Sequence, residues 1–405
     1  MIRERKDAKA RDASPARSPA VSHGAVVIGG DCGALAAVRS LGRRRIPVGV
    51  VRGLNPVASY SRFASWAEDW DGAESAGALD QLIALAEKRG ALDWTLFPAG
   101  DAEVRLVSQN HAELSRLFRL TVPPWETLGF AADKHMTYAR CASLGIPHPR
   151  TYAVRSLDDA RALDFQFPLI VKPAEKQGVN ALTAAKAWII ASREDLLRRF
   201  GRASDLAGDA GLIVQELIPG DDSSQFSWCA LCENGVPLVT MAARRTRQTP
   251  AGFGTGTFVE SMLDLGFGAH AERFLASINY TGLVEIEFKL DRRDNQFKLI
   301  DVNPRLWTWN GLGVAAGVDF AGAAFDLANG GAVEKAQGRP GASWLYVARD
   351  AGQSLASIRK GELSFAAYLR SLFGASAYAT FAWDDPLPSL VDTPLALFRR
   401  GKRKA

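Results

Sequence analysis

The chain of 405 residues is 47% hydrophobic and 23% charged, a globular composition with enough length for two or three domains. Its net charge of +5 comes from the two ends, since residues 1–20 carry +3 and residues 399–405 carry +5, and the mildly acidic body excludes a nucleic-acid-binding surface. No uncharged apolar run approaches the roughly 18–20 residues of a membrane span, and residues 1–22 lack the apolar centre of a secretory signal, so we expect a cytoplasmic protein.

The first elements alternate between strand and helix. Short apolar runs bounded by glycine or proline predict the strands, and apolar residues at helical spacing predict the helices between them. A strand-helix-strand unit of this length is a right-handed crossover, which implies parallel strands. The predicted elements of this Rossmann-like layer are strand 24–30, helix 32–45, strand 46–51, helix 77–89 and strand 94–98.

From about Asp133 the pattern changes to strands joined by long loops. Residues 244–257 are rich in Gly, Arg and Thr without an apolar period, and they predict a mobile loop that could close over a site and exclude water. The alternative for this segment is a solvated basic extension of a hairpin. The other predicted elements are helix 133–145, strand 167–173, helix 193–200, strand 212–218, the hairpins 227–243 and 283–302, and a helical region at 310–327.

The second hairpin carries the clearest chemical pattern, because side chains two apart on a strand share a face. Glu285, Glu287 and Lys289 share a face of one strand, and Asp301 and Asn303 share a face of its neighbour. If the two faces meet, the converging oxygens favour a hard divalent cation, Mg²⁺ or Mn²⁺ rather than zinc. The alternative is a solvated strand face on which the lysine neutralises the acids.

Two basic residues extend this pattern. Arg305 follows the second strand of the hairpin, where its guanidinium could bind a phosphoryl or carboxylate oxygen. Lys172 ends a buried strand and is followed by Pro173, although a strand-end lysine that reaches solvent is equally compatible with the sequence.

Five segments, taken in order, resemble the ATP-grasp superfamily. The resemblance covers about residues 25–330 and rests on the order and spacing of the segments rather than on any one of them. A sixth segment, residues 384–388, resembles the tail of uncharacterised carboxylate-amine ligases of that fold. The five segments are Asp133-Lys134 with the helix to Gly145 and the run to Thr151, then 168–173, 214–222, 284–289 and 300–305.

The resemblance implies an α/β fold in which an N-terminal Rossmann-like parallel sheet domain precedes a two-lobed ATP-grasp domain of α+β type. It places nucleotide binding and catalysis in the second domain and leaves the role of the following segment open. The expected organisation is a disordered basic tail at 1–22, the Rossmann-like domain at 23–120, the ATP-grasp domain at 121–335, a C-terminal extension at 336–398 and a basic tail at 399–405.

The resemblance also implies roles for individual residues. Arg305 and Lys172 are the implied catalytic residues, and whether Glu285 is a metal ligand stays open. The implied phosphate contacts are Lys134, Lys172 and, in a small covering loop with Gly178, Lys176; the implied adenine contacts are Gln215, Glu216 and Ile218; the implied ribose contact is Asp222; and the implied ligands of Mg²⁺ or Mn²⁺ are Glu287, Asp301 and Asn303.

The implied activity is an ATP- and Mg²⁺-dependent carboxylate-amine ligase that forms an acyl phosphate and releases ADP and phosphate. Its partners would be a small-molecule carboxylate and a small-molecule amine, whose identities the sequence does not give, and the oligomeric state is open. No nucleic acid is expected, and contact of the basic tails with an anionic membrane surface is a minor alternative.

Two other functions compete with the ligase. An NADP-dependent oxidoreductase could be built on residues 24–52, with Arg52 reading the 2′-phosphate, although Ile28 stands where the dinucleotide fingerprint requires its first glycine. A non-catalytic ATP-binding protein is the second alternative. Cys229 and Cys232 have the spacing of a zinc knuckle, but on a strand their thiols would point to opposite faces.

Overall fold

The computed structural model describes residues 23–394 except 54, 175–179, 209–210, 251 and 393. In this part of the chain the strands form a five-stranded parallel sheet, a four-stranded antiparallel sheet and an eight-stranded mixed sheet. The predicted α/β fold class, with a parallel sheet followed by an α+β part, is confirmed.

The parallel sheet has the strand order β3-β2-β1-β4-β5 and confirms the predicted alternation of strand and helix. The edge strand β3 was not predicted, because most of its residues are partly exposed and it has no continuous apolar run. The elements are β1 (Ala25–Ile28), α1 (Cys32–Arg43), β2 (Val48–Arg52), β3 (Ala64–Asp69), α2 (Ala78–Lys88), β4 (Thr95–Pro98), α3 (Asp101–Gln109), α4 (His111–Leu114) and β5 (Arg119–Leu120).

The antiparallel sheet has the order β6-β9-β7-β8 and follows two helices. The second of these helices begins and ends as predicted: the Asp133 side chain accepts hydrogen bonds from two amides of its first turn, and Gly145 ends it with φ of 61°. The elements are α5 (Trp125–Ala132), α6 (Lys134–Leu144), β6 (Thr151–Tyr152), α7 (Leu157–Ala162), β7 (Leu169–Pro173), α8 (Ala181–Ala185), β8 (Trp188–Ile190), α9 (Arg193–Ala207) and β9 (Leu212–Glu216).

The mixed sheet has the order β14-β13-β10-β11-β12-β16-β17, and β15 pairs with β11. Both predicted hairpins are confirmed as β10–β11 and β13–β14. The elements are β10 (Gln225–Glu233), β11 (Val236–Thr249), β12 (Thr255–Met262), α10 (Gly268–Ser277), β13 (Gly282–Asp291), β14 (Gln296–Asn303), α11 (Leu312–Ala315), α12 (Phe320–Ala328), β15 (Ala336–Gln337), β16 (Ser343–Leu345), α13 (Val347–Arg359), α14 (Phe365–Gly374) and β17 (Ala377–Tyr378).

The predicted mobile loop at residues 244–257 is wrong. Strand β11 continues through this segment to Thr249, and β12 begins at Thr255 and pairs with it in antiparallel fashion. The physical reason is that Arg245 is buried in ion pairs, so the absence of an apolar period does not mean that the segment is solvated.

Two hydrophobic cores lie on opposite faces of β10. Cys229 belongs to the core that β10 shares with α1 and the parallel sheet, and Cys232 belongs to the core that it shares with α10. The prediction that the two thiols point to opposite faces is therefore confirmed. Trp307 and Trp309 are almost fully buried in the first core, so this core fixes the parallel sheet against the end of β14.

Residues 384 and 385 fasten the C-terminal segment to helix α1. The buried Arg39 guanidinium donates to the Asp385 carboxylate at 2.9 Å, and Arg43 donates to both carboxylate oxygens of Asp384. The Asp385 carboxylate also accepts a hydrogen bond from the Ser61 hydroxyl at 2.7 Å. In this structure the acidic run thus bridges residues far apart in sequence.

Candidate functional site

A cleft of about 610 Å³ lies where residues from all three sheets meet. Among its lining residues are nearly all of the site residues predicted from the sequence: Lys134, Lys172, Gln215, Glu216, Ile218, Glu287, Asp301, Asn303 and Arg305. Asp222 does not line the cleft; its carboxylate accepts hydrogen bonds from the Gln248 amide and the Gly252 backbone. The predicted phosphate contact Lys176 and its neighbour Gly178 lie outside the described residues.

The β13–β14 hairpin sets the register of the acidic end of the cleft. Glu287 lies directly opposite Asp301, and Glu285 lies directly opposite Asn303. The Asn303 amide nitrogen donates to Glu287 at 2.9 Å and to Glu285 at 3.3 Å, and its oxygen accepts from Arg305 at 3.1 Å. The two faces that the sequence pattern paired do meet.

The donor set at this end is suited to Mg²⁺. Glu287, Asp301 and Asn303 offer two carboxylates and one amide oxygen, and Mg²⁺ in nucleotide sites is usually held by one or two carboxylates together with phosphates and water. In the described part of the chain, no group of three or more His, Cys, Asp or Glu side chains could by itself hold a metal ion. The described residues therefore do not form a metal site from protein ligands alone. Their oxygens suit a site in which nucleotide phosphates complete the coordination of the metal ion.

The role of Arg245 in the site was not predicted from the sequence. Its guanidinium lies 2.7 Å from a Glu285 oxygen and 2.5 Å from a Glu287 oxygen, and all three side chains are mostly buried. Burial alone would lower the pKa of Arg245, but the Glu287 and Glu285 carboxylates raise it by more than burial lowers it. The guanidinium therefore stays charged. Arg245 continues the two-residue period of Met241 and Ala243, and this period could have predicted a longer strand.

Glu285 serves as a partner of Arg245. Its carboxylate accepts hydrogen bonds from the Ser227 hydroxyl at 2.8 Å and from Arg245 at 2.7 Å, in addition to the contact with Asn303. Burial raises the pKa of Glu285 even though the guanidinium opposes this effect. Glu287 is engaged by Arg245 and Asn303 in a similar way, so these contacts do not distinguish Glu285 from the predicted metal ligands.

Two lysines face the acidic end from the other side of the cleft. The Lys134 ammonium lies 3.0 Å from an Asp301 oxygen, and the Lys172 ammonium donates to the Tyr138 hydroxyl at 3.0 Å. Burial lowers the pKa of Lys172, and the carboxylates of Asp301 and Glu287 oppose that shift. Burial would raise the pKa of Asp301, but Lys134 and Lys172 hold it below its usual range. The site therefore places two amines beside an ionised carboxylate.

The residues predicted to contact adenine sit on and after β9. Gln215 is fully buried, and its amide nitrogen donates to the Thr151 hydroxyl at 2.9 Å. The Glu216 carboxylate accepts from the Arg150 backbone and from Arg293, so this side chain is already engaged. Ile218 supplies an apolar wall.

Arg305 links the hairpin to the parallel sheet. Its guanidinium forms an ion pair with Asp101, which is the first residue of α3, and donates to the Asn303 oxygen. Burial would lower the pKa of Arg305, but Asp101 raises it and keeps the guanidinium charged. A residue of the parallel sheet layer thus contributes directly to the cleft.

Two features that the dinucleotide-binding alternative would use form contacts within the protein: the glycine-rich run that follows β1, and Arg52. The Asp31 carboxylate accepts hydrogen bonds from two amides of the first turn of α1. Arg52, which the dinucleotide alternative would use for a 2′-phosphate, forms an ion pair with Asp69 at 2.6 Å. Among the described residues, no helix is both long and apolar enough to cross a membrane.

Comparison with known proteins identifies relatives of the hairpin region and of the wider chain. The family model of the carbamoyl-phosphate synthase L chain, ATP binding domain, matches residues 233–336, which include the β13–β14 hairpin. The D-aspartate ligase of Enterococcus faecium (strain Aus0004) is 28% identical over 259 residues, which cover 58% of this chain and 61% of the ligase. The match therefore spans less than two thirds of that relative.

Two solved structures have a similar fold. The biotin carboxylase domain of the Hydrogenobacter thermophilus 2-oxoglutarate carboxylase, in complex with MgADP, ADP and bicarbonate, matches with a TM-score of 0.61 and 15% identity over 79% of this chain and 73% of that one. The L-amino acid ligase of Bacillus licheniformis matches with a TM-score of 0.57 and 14% identity over 76% of this chain and 74% of that one. At these identities the likeness shows the fold alone.

Proposed function

Because the chain has the ATP-grasp fold, we propose that it is an ATP- and Mg²⁺-dependent ligase that joins a carboxylate to an amine. The reaction would proceed through an acyl phosphate and release ADP and phosphate. The observation that carries this proposal is the meeting, in one cleft, of the acidic end of the β13–β14 hairpin with Lys134, Lys172 and Arg305. The similarity to D-aspartate ligase, a ligase by its name, supports the same reaction class.

The nucleotide would lie between β9 and the hairpin. Lys134 and Lys172 would bind its phosphates, because both ammonium groups face the cleft beside Asp301. Gln215 and Ile218 would border the adenine. Glu216 would do so through its backbone, because its carboxylate already accepts hydrogen bonds from the Arg150 backbone and from Arg293. Contacts of Lys176 with phosphate and of Asp222 with ribose remain predictions from the sequence resemblance.

Glu287, Asp301 and Asn303 would hold the metal ion. Bound Mg²⁺ supplies charge neutralisation on the transferring phosphoryl group. Lys134, Lys172 and Arg305 would neutralise the same negative charge. This neutralisation is needed because the carboxylate substrate and the γ-phosphate are both anions and repel each other. Arg305, kept charged by Asp101, would orient the carboxylate substrate and the phosphoryl oxygens at the end of β14.

The proposed chemistry consists of two displacements. In the first, a carboxylate oxygen forms a bond to the γ-phosphorus and ADP leaves with the electron pair of the broken P–O bond. In the second, the amine nitrogen bonds to the carbonyl carbon of the acyl phosphate, and phosphate leaves with the electron pair of the broken C–O bond. Neither step needs a nucleophile from the protein, which agrees with a site built from cations and metal ligands.

The test is the identity of the nucleotide product. Purified protein is incubated with ATP, Mg²⁺ and a panel of small carboxylates and amines, and nucleotides and phosphate are separated and quantified. We expect ADP and phosphate in equal amounts only when the metal and both substrates are present. The variant Lys172→Gln should lose this activity, whereas Lys335→Gln, on an exposed site, should keep it.

Two outcomes would contradict the proposal. Formation of AMP and pyrophosphate would indicate adenylation of the carboxylate instead of phosphorylation. Binding of ATP without cleavage under any combination in the panel would favour the non-catalytic alternative.

A further inference from the structure

The C-terminal segment presents large apolar side chains to solvent. Helix α14 consists mostly of apolar residues, and none of them is buried. Trp383 is 92% exposed, although tryptophan is among the residues that proteins bury most on average. We use the name apolar surface for five exposed side chains of this segment: Phe365, Phe373, Trp383, Leu387 and Leu390.

A chain of contacts joins the two ends of the apolar surface. The Tyr378 hydroxyl donates to the backbone carbonyl of Leu372 at 2.8 Å, which fixes β17 against the end of α14 that carries Phe373. The Tyr378 ring lies 6.1 Å from the Phe381 ring, which in turn lies 4.9 Å from the Trp383 ring. Trp383 therefore belongs to the same region of the molecule as the end of α14.

The exposed charges beside the apolar surface are mostly positive. Asp384 accepts hydrogen bonds from Arg43 through both carboxylate oxygens, and the buried Asp385 is bound by Arg39. Within residues 359–390 this leaves Glu362 as the exposed acid without a basic partner among the described residues. The exposed basic residues of the same range are Arg359, Lys360 and Arg370.

Residues 395–405 continue directly from this segment and add both kinds of group. Their sequence is an apolar run, Leu395-Ala-Leu-Phe398, followed by five basic residues within the basic tail 399–405. Clusters of about four to eight Lys and Arg bind anionic lipid headgroups, but stable membrane binding needs a second signal. The sequence alone offers the basic tail, and the exposed side chains of the apolar surface supply the second signal.

The charge of the basic tail distinguishes between possible partners of the apolar surface. A second copy of this chain would bring an equal cluster of five basic residues to the same region, and the like charges would repel each other. An anionic lipid surface instead offers negative headgroups to the tail and an apolar boundary to the exposed rings. Tryptophan is enriched at this boundary of membranes, where its amphipathic ring sits among the headgroups.

We propose that the protein binds to an anionic membrane surface through the apolar surface and the basic tail. Trp383 and Phe373 would enter the headgroup region, and the basic residues would pair with lipid phosphates. Leu387 and Leu390 would extend the buried apolar area. This inference concerns where the protein binds and does not depend on the proposed ligase function.

The test is flotation of the purified full chain with lipid vesicles, without ATP or substrates. One set of vesicles contains phosphatidylglycerol and phosphatidylcholine in equal parts, and the other contains phosphatidylcholine alone. We expect the partition coefficient to be roughly 10²–10³-fold higher for the anionic vesicles, because each basic residue at the surface adds several-fold. Equal partitioning into both sets, or none into either, would refute the proposal.

The contribution of the basic tail is measured by removing three of its charges. The variant with Lys402→Gln, Arg403→Gln and Lys404→Gln should bind anionic vesicles roughly 10²-fold less well. The matched control carries Arg3→Gln, Arg5→Gln and Lys6→Gln, which remove three charges from the other basic tail, and it should bind as wild type. An equal loss in both variants would mean that net charge alone drives binding and would overturn the assignment to this surface.

The contribution of the apolar surface is measured by replacing single exposed side chains. Trp383→Ser and Leu390→Ser should each lower the partition coefficient roughly 3- to 10-fold, because each removes apolar area that the headgroup region would cover. Leu265→Ser is the control, since Leu265 is also exposed but precedes α10, which packs on the opposite face of β10 from α1. Unchanged binding of both Trp383→Ser and Leu390→Ser would refute the role of the apolar surface.

Tryptophan fluorescence locates the contact. Anionic vesicles should shift the emission of the wild-type protein to shorter wavelength as Trp383 leaves water. Trp383→Phe should lose most of this shift and still float with the vesicles, because phenylalanine keeps an aromatic ring. The same shift in Trp383→Phe would place the contact elsewhere and contradict the proposal.

The oligomeric state tests the other occupant of the apolar surface. Analytical ultracentrifugation without lipid should give the same mass for the wild-type protein and Trp383→Ser. A wild-type dimer that becomes a monomer in Trp383→Ser would show that a second copy covers this surface, and the membrane proposal would fail. Because these measurements need no turnover, their failure would leave the ligase proposal intact.

Discussion

The β13–β14 hairpin and the β11–β12 strand pair border the same cleft, but only the hairpin was predicted correctly. The sequence predicted the hairpin, its turn and the faces that carry Glu287 and Asp301, and the structure supplied the register that brings the two faces together. The outer half of β11 was expected to be a mobile loop, although its Arg245 is among the most deeply buried charged residues of the site. The difference lies in where each segment finds its stabilising partners.

The hairpin is stabilised locally. Apolar residues alternate with polar ones along both strands, and a turn joins them within a few residues, so the pattern in one short window contains the whole unit. The outer half of β11 is instead stabilised by acids far away in sequence. Arg245 binds Glu285, which lies 40 residues later, and Arg247 binds Asp350, which lies 103 residues later.

The largest expected effect is on catalysis at the hairpin. Asp301→Asn and Asn303→Ala should each lower turnover by roughly 10²–10³-fold or more, since the first removes a negative charge and the second removes an oxygen ligand at the charged end of the cleft. Both variants should stay folded, because neither side chain is part of a hydrophobic core. Steady-state ADP release and circular dichroism measure the two properties separately.

The matched control on the same hairpin is Asp294→Asn. This residue lies in the exposed turn and does not line the cleft, so the same chemical change there should leave turnover unaltered. Full activity of Asp301→Asn and Asn303→Ala would remove the metal assignment.

The next effect is on stability at β11. Arg245→Met leaves Glu285 and Glu287 buried without their cation, and loss of one partner of a buried ion pair costs about 3–5 kcal/mol of unfolding free energy. Urea denaturation of the variant and the wild type gives the difference directly. A mobile loop would show no such cost.

Arg244→Met is the control for this variant. Arg244 is the preceding residue on the same strand and is exposed, so its replacement should change the unfolding free energy by no more than about 0.5 kcal/mol. Equal stabilities for Arg244→Met and Arg245→Met would restore the loop interpretation and remove the contrast between the two segments.

The smallest effect concerns the hairpin turn. Asn295 has φ of 56°, a left-handed conformation that asparagine tolerates and alanine does not, so Asn295→Ala should cost about 1 kcal/mol. Asn295→Gly should be close to neutral, because glycine adopts this conformation without strain. If both replacements were neutral by urea denaturation, the turn would not contribute to the stability of the hairpin.

The same distinction explains how much of the molecule could be predicted. The ATP-grasp resemblance is confirmed, and most of the predicted strands lie close to their observed bounds. Helix α9 continues to Ala207 beyond the predicted end at 200, and helices α3, α5 and α10 were not predicted. The edge strand β3 was missed because it is half exposed, and the ion pairs of residues 384 and 385 were not predicted because their partners, such as Arg39, lie in α1.

The site was predictable to the extent that it follows strand periodicity. Alternation alone places Asp301 and Asn303 on one face of β14, and the pairing of the strands adds Glu287 from β13. Lys172 ends a strand whose apolar run is visible in the sequence. Arg245 continues the strand period of Met241 and Ala243, but its ion pairs with Glu285 and Glu287 could not be predicted, because these acids are distant in sequence. Arg349, which also lines the cleft, lies on α13, which the sequence did not predict. Charged residues that bind to one another across a sheet leave no apolar period.

The central claim, that the cleft forms an acyl phosphate, is tested most directly with a substrate carboxylate labelled with ¹⁸O. The protein is incubated with ATP, Mg²⁺, the labelled carboxylate and an amine, and the inorganic phosphate is analysed by mass spectrometry. The account predicts one ¹⁸O atom in the phosphate for each amide formed, because the carboxylate oxygen that attacks phosphorus leaves with it. Label in AMP, or amide formation without label in phosphate, would contradict it.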